Sequence, residues 1–200
     1  MSEILLTGFE PFGGDPRNPS SEACVQLDGE QIAGHRVRAL TLPTAFNAAA
    51  LKLLREIARR EPVLVIATGL AVGRADVTPE RFAMNFADAR IPDNRGRQPR
   101  AKTLIKGAPL AYASTLPVDR IVARLRASGI PASPSLSAGA FVCNELFFRL
   151  RHATEGRTLP ACFIHVPYAS EHVVDRPGTP SLPLATIAAG LRIAIEASLA

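Results

Sequence analysis

Cysteine is scarce in this chain, with Cys24, Cys143 and Cys162 the three among 200 residues. An odd number at no metal-like spacing argues against a disulfide framework and against a zinc site, and favours a reducing compartment. No apolar run is long enough to span a membrane. The stretch MSEILLTGFEPF meets Glu3 early and has only Ile4 to Leu6 as an apolar run, which is not the pattern of an export signal. A cytoplasmic protein with no membrane partner is expected. A concentrated basic patch is also missing: the formal charge is +5, but the cations are scattered among 18 acids. The densest positive stretch, DNRGRQPRAKTLIK at 93–106, has no aromatic residue to stack on a base. It reads as an exposed loop, and no nucleic-acid partner is expected.

Three common chemical signatures are absent as well. GFEPFGG has glycines at the wrong spacing for a dinucleotide fingerprint and lacks the lysine of a phosphate-binding loop. No G-x-S-x-G nucleophile elbow occurs. These absences leave a thiol with a base as the remaining route to chemistry, with no metal and no cofactor.

What is present is a chain that is 47% hydrophobic, enough to close one core, so a single domain over residues 1–200 is expected. Apolar runs predict strands at 3–9, 36–42, 62–69 and 161–168, with a weaker alternating candidate at 80–86. Helical patterns lie between them at 44–60, 117–128, 142–152 and 183–199. Alternation of near-continuous apolar strands with helices predicts an α/β fold: a mostly parallel twisted sheet with helices on both faces, a three-layer sandwich. Functional groups in such a sheet gather beyond the carboxyl ends of its strands.

Cys143 is the candidate thiol. It follows the small residues Ser137 to Ala140 and opens a predicted helix, where free N–H groups and the helix dipole favour thiolate over thiol. Cys24, inside a helical stretch, and Cys162, inside ACFIHV, read as core packing. Of four histidines, His165 ends the strand ACFIHVPY and is the candidate base, while His35, His152 and His172 lie in polar surroundings. An acceptor is needed to fix the imidazole tautomer. Glu80 in TPERFAMN is one candidate, and on spacing alone Asp76 and Asp88 are as near.

Five segments carry a resemblance: LLTGFEPFGGDPRNPS (5–20), PERFAMNFADARIPDNRG (79–96), STLP (114–117), SAGAFVCNELFFRL (137–150) and FIHVPY (163–168). In order and nearly end to end, the chain resembles the pyroglutamyl peptidase I family, also called pyrrolidone-carboxylate peptidases. The resemblance implies a cytoplasmic cysteine peptidase that removes an N-terminal pyroglutamyl residue from peptides with a Cys–His–Glu triad and without a cofactor. The matching positions are Cys143, His165 and Glu80. Arg90 matches the residue that steadies the oxyanion, and Phe9 and Phe12 match the pair that closes on the lactam ring. Asn18 matches a residue that braces their loop. Leu70, Ile91 and Val142 complete the implied substrate site. Bacterial relatives commonly form homotetramers, so a homo-oligomer is expected.

One departure stands out. Similar proteins usually carry G-Q-A-G-G-R where this chain has GLAVGR at 69–74, so Leu70 and Val72 stand beside the expected pocket. Phe148 likewise stands where a tyrosine is common, which reads as a packing variant. The alternative function is therefore a homologue that binds pyroglutamyl groups, or has altered specificity, with weak hydrolysis. A nucleoside-processing enzyme of similar architecture would need a phosphate site, and no glycine-rich or clustered-arginine motif supplies one.

Overall fold

The computed structural model describes residues 2–200. Its elements run β1 (Glu3–Phe9), α1 (Pro19–Gln26), β2 (Gln31–Ile32), β3 (His35–Leu42), α2 (Ala48–Arg60), β4 (Leu64–Leu70), β5 (Thr78–Pro79), β6 (Phe82–Met84) and β7 (Ala111–Ala113). They continue with α3 (Val118–Ala127), α4 (Val142–Ala153), β8 (Ala161–Val166), β9 (Tyr168–Ala169), β10 (Ser181–Leu182) and α5 (Leu184–Leu199). Six strands form one sheet in the order β2-β3-β1-β4-β8-β5. The central pairs β3·β1, β1·β4 and β4·β8 are parallel, and the short edge strands β2 and β5 are antiparallel to their neighbours.

Alternation along the central strands explains the layers. Ile4, Leu6, Leu64, Ile66, Cys162 and Ile164 point to one face and pack with apolar residues of α1, α3 and α5. Leu5, Phe9, Val65, Ala67 and Phe163 point to the other face and pack with α2 and α4. A strand buried on both faces has no polar side to show, which is why these segments read as continuous apolar runs. Helix α1 lies so close to β1 that a Cβ on Gly8 would sit 2.4 Å from the Ser21 nitrogen. Any larger residue there would force α1 off the sheet.

The structure departs from the expected elements at three points. Helix α2 begins at Ala48, not at 44, because the Phe46 N–H donates to Asp93 Oδ2 (2.8 Å) and the Asn47 N–H to Glu145 Oε2 (2.7 Å), with Asn47 at φ 64°. The run 80–86 does not join the main sheet; only Phe82–Met84 is a strand, and it pairs with β7. The 161–168 strand ends at Val166, and Tyr168 begins a separate pairing with β10. The basic stretch 93–106 is an irregular, largely exposed loop, as expected. Its start is tied down by Asp93, whose Oδ1 accepts from the N–H groups of Arg95 and Arg97, both at 2.8 Å.

Candidate active site

Three segments distant in sequence meet at the carboxyl end of β4 and β8. His165 stands near the end of β8 on the α2/α4 face, with Gly69 of β4 paired to it on one side and Thr78 of β5 on the other. Strand β5 runs against β8 and carries the chain on to Glu80, whose N–H donates to the Phe163 carbonyl at 2.9 Å. Glu80 is therefore diagonal to His165 on the same face. Its Oε1 lies 2.7 Å from His165 Nδ1. Asp76 is turned elsewhere and accepts from the Ser133 hydroxyl, and Asp88 is exposed on the rim, so of the three carboxylates Glu80 is the one at the His165 ring.

Cys143 arrives from above on the first turn of α4. Gly69 makes room for it: a Cβ at that position would lie 2.9 Å from Cys143 Sγ and 2.9 Å from the Phe163 ring. A glycine inside a buried strand marks such a close approach. The N-cap Phe141 has no side chain able to cap, so the first N–H groups of α4 have no side-chain acceptor at the helix start.

The protonation states differ from the expectation of a resting thiolate. Burial pushes the Cys143 thiol up to about 12, and the nearby Glu80 charge pushes the same way; its own N–H and Arg74 oppose them and lose. Burial likewise lowers His165, overcoming the pull of Glu80, with Arg74 assisting. Burial pushes the Glu80 carboxyl up, but hydrogen bonding and charge from His165, together with Arg74, more than offset this and leave it below its ordinary value. These directions favour a neutral thiol, a neutral imidazole and a carboxylate. The helix start alone does not outweigh desolvation of the sulfur.

A cleft of about 490 Å³ opens over these groups. Its walls include Phe12, Leu70, Arg90, Ile91 and Phe141, with Cys143 and His165 at its base. Phe12 is half-buried, 6.2 Å from the Phe141 ring, and its loop is clasped from behind. Asp15 accepts from Tyr168 Oη (2.5 Å) and from Arg176 Nη1 (3.0 Å), while Arg176 stacks on the Tyr168 ring at 4.6 Å. Among the described residues the Arg90 side chain has no hydrogen-bond or ion-pair partner, and it is exposed to the cleft.

Three expected substrate contacts are not at the cleft wall. Phe9 is 2% exposed and packs against Phe163, because as the last residue of β1 it shares the inward face of Leu5. Val142 is fully buried in the same core beneath the start of α4. Asn18 is buried and caps α1: its Oδ1 accepts from the Ser20 N–H (3.1 Å) and Oγ (2.8 Å), and its Nδ2 donates to the Glu10 carbonyl (3.1 Å). It braces the loop of Phe12 without lining the cleft. The sequence reading also missed residues: Gly69, Arg74 and Phe141 were not singled out, although a glycine in an apolar strand was a signal for the first. A hollow of about 540 Å³ beside Phe46, Arg97 and Arg149 contains neither thiol nor imidazole. Among the described residues, no three His, Cys, Asp or Glu side chains gather as a metal site.

A family model described as pyroglutamyl peptidase matches residues 2–200. The chain belongs to the pyroglutamyl peptidase family. A pyrrolidone-carboxylate peptidase of Chromobacterium violaceum is 50% identical over 199 residues, covering 100% of this chain and 93% of that protein. The crystal structure of pyroglutamyl peptidase I from Bacillus amyloliquefaciens superposes with a TM-score of 0.95 at 39% identity, over 99% of this chain and 97% of that one. Pyrrolidone carboxyl peptidase from Thermococcus litoralis gives 0.95 at 41% identity, over 100% and 94%. In this member of the pyroglutamyl peptidase family, Leu70 of the divergent GLAVGR segment lines the cleft at 6% exposure and Val72 is 65% exposed on its rim.

Proposed function

We propose that this protein hydrolyses the amide bond after an N-terminal pyroglutamyl residue of peptides, with Cys143 as nucleophile, His165 as base and acid, and Glu80 as its orienter. The observation that carries the reading is the meeting of a cleft-facing thiol, a cleft-facing imidazole and a buried carboxylate at one end of the sheet, in a chain of this family.

With Nδ1 held by Glu80, the other ring nitrogen of His165 is free for proton transfer. Burial disfavours charge on both thiol and imidazole, which suits a transfer in which the proton passes to the ring as the sulfur attacks the pyroglutamyl carbonyl. The developing oxyanion is met by the N–H of Cys143 at the start of α4, helped by the unpaired guanidinium of Arg90. Protonated His165, its charge offset by Glu80, gives its proton to the leaving amine. Water activated by the same imidazole then clears the acyl-enzyme. The lactam is flat and uncharged, so apolar walls at Phe12, Leu70, Ile91 and Phe141 suit it, and no counter-ion is required.

The partners that follow are N-terminally pyroglutamylated peptides, and a homo-oligomer, by family resemblance a homotetramer, in the cytoplasm. Among the described residues no helix is long and apolar enough to cross a membrane. The decisive assay offers a pyroglutamyl-linked chromogenic amide beside the corresponding prolyl amide. Release of the chromophore from the first and not the second supports the reading, and no release from either removes it. Turnover of both substrates would favour the altered-specificity reading that Leu70 raises.

A further inference from the structure

Arg74 has no step in the reaction above, yet it is tied into the site by three hydrogen bonds. Its Nη1 donates to Glu80 Oε1 at 2.8 Å and to the Thr78 hydroxyl, and its Nη2 donates to the Ser137 carbonyl at 3.3 Å. Glu80 Oε1 is the same oxygen that His165 Nδ1 approaches at 2.7 Å. Ser137 begins the turn that leads into Cys143. One guanidinium thus spans β5, the triad carboxylate and the approach to the nucleophile, and it borders the cleft itself.

We propose that Arg74 is a positioning residue for the triad, tying the turn that delivers Cys143 to the carboxylate that orients His165, and drawing part of that carboxylate's charge away from the imidazole. The inference rests on the triad reading. A fully buried carboxylate facing a histidine alone would attract a proton onto the ring, and an imidazolium cannot accept the proton of a thiol. A guanidinium on the same oxygen reduces that attraction and repels a charge on the ring. The groups facing His165 are Glu80 from beyond β5, Cys143 from α4 and Arg74 from the turn after β4, with Asp88 and Arg90 across the cleft. Arg74 is the cation among them that is hydrogen-bonded to the triad.

The test separates this role from a merely structural ion pair. In a Cys143→Ser background, the His165 resonance is followed by NMR against pH, assigned by its loss in His165→Ala. Arg74→Met should move the titration to higher pH. In the otherwise wild-type enzyme the acid limb of kcat/KM should move in the same direction, and kcat should fall about ten- to a hundredfold. Arg74→Lys, which keeps the charge without the fork, should restore the acid limb while leaving kcat depressed. A purely structural tie would lower the melting temperature and leave both titrations where they were, and that result overturns the proposal. Should Arg74→Met not fold, Arg74→Gln gives the same readings, and an unmoved acid limb there overturns it equally. Turnover by Cys143→Ser or His165→Ala would instead remove the triad reading, whatever Arg74 does.

Discussion

The sulfur of Cys143 rests against Gly69, the residue that β4 pairs with His165, so the nucleophile stands above the strand adjoining its base. Gly69→Ala puts a methyl 2.9 Å from that sulfur and 2.9 Å from the Phe163 ring, in a core with no room to yield. Overpacking of this kind costs roughly 1–3 kcal/mol, readable as a lower denaturant midpoint. The same shift displaces the thiol, so kcat should drop while KM, set by the cleft walls, changes little. A variant with wild-type kcat would show that the sulfur tolerates displacement.

Alkylation should be confined to one cysteine. Cys24 and Cys162 are buried in the core, whereas Cys143 is half-buried and borders the cleft, so iodoacetamide reaches Cys143 first in the folded protein. Mass spectrometry should find the label at Cys143 alone, with inactivation in proportion. Cys143→Ser should lose both label and turnover, whereas Cys24→Ser and Cys162→Ser should keep activity.

Activity and stability should both respond to pH through His165 and Cys143, in opposite windows. His165 is lowered from 6.5 by burial, so the unfolded chain takes up its proton first; stability is full above pH 6.5 and falls as the pH drops below it. Glu80, lowered in the folded state, contributes stability present above 4.5 and lost on further acidification. Cys143 is raised from 9.0 to about 12, so its contribution is present below pH 9.0 and is lost as the pH rises towards 12. Melting temperature measured across this range should show both flanks, and His165→Ala should flatten the one beginning at 6.5. His165→Ala should also cut kcat by about 10²–10⁴-fold, with Glu80→Gln less severe because an amide oxygen still accepts from the ring. A melting temperature that rises on acidification would contradict the buried neutral imidazole.

Phe12 and Phe9 should separate cleanly. Phe12→Ala removes a wall of the cleft and should weaken substrate binding by about 1–3 kcal/mol, seen mainly in KM, with a modest loss of stability. Phe9→Ala opens a cavity beneath Phe163 and should cost roughly 3–5 kcal/mol of folding stability. Denaturant titration and steady-state kinetics on the pair decide it; equal effects on KM would return Phe9 to the substrate site.

The central strands, helices α3 to α5 and the placing of Cys143 at a helix start and His165 near a strand end were legible because each rests on local pattern: apolar runs, a proline before a helix, small residues before a thiol. Once the apolar run places β1, the two-residue alternation of any strand puts Phe9 on the face of Leu5, so its burial was readable there. Other features depend on partners remote in sequence. Strand β5 is two residues long and has no periodicity to detect, yet it aims Glu80. The late start of α2 follows from acceptors at Asp93 and Glu145. The upward shift of the Cys143 thiol follows from desolvation by segments remote in sequence and from the Glu80 charge, which no property of the SAGAFVCNE segment foretells.

The pairing of β8 with β4 makes assembly of the centre a late event. Strand β8 begins at Ala161, and between it and β4 lie β5 to β7 and helices α3 and α4, so the thiol emerges from a ribosome before its base does. A pairing across so long a loop forms slowly compared with local helices. The strap of Asp15, Tyr168 and Arg176 that fixes the Phe12 loop comes later still. A growing chain of this protein therefore carries a nucleophile with nothing to take its proton and a substrate wall with nothing behind it.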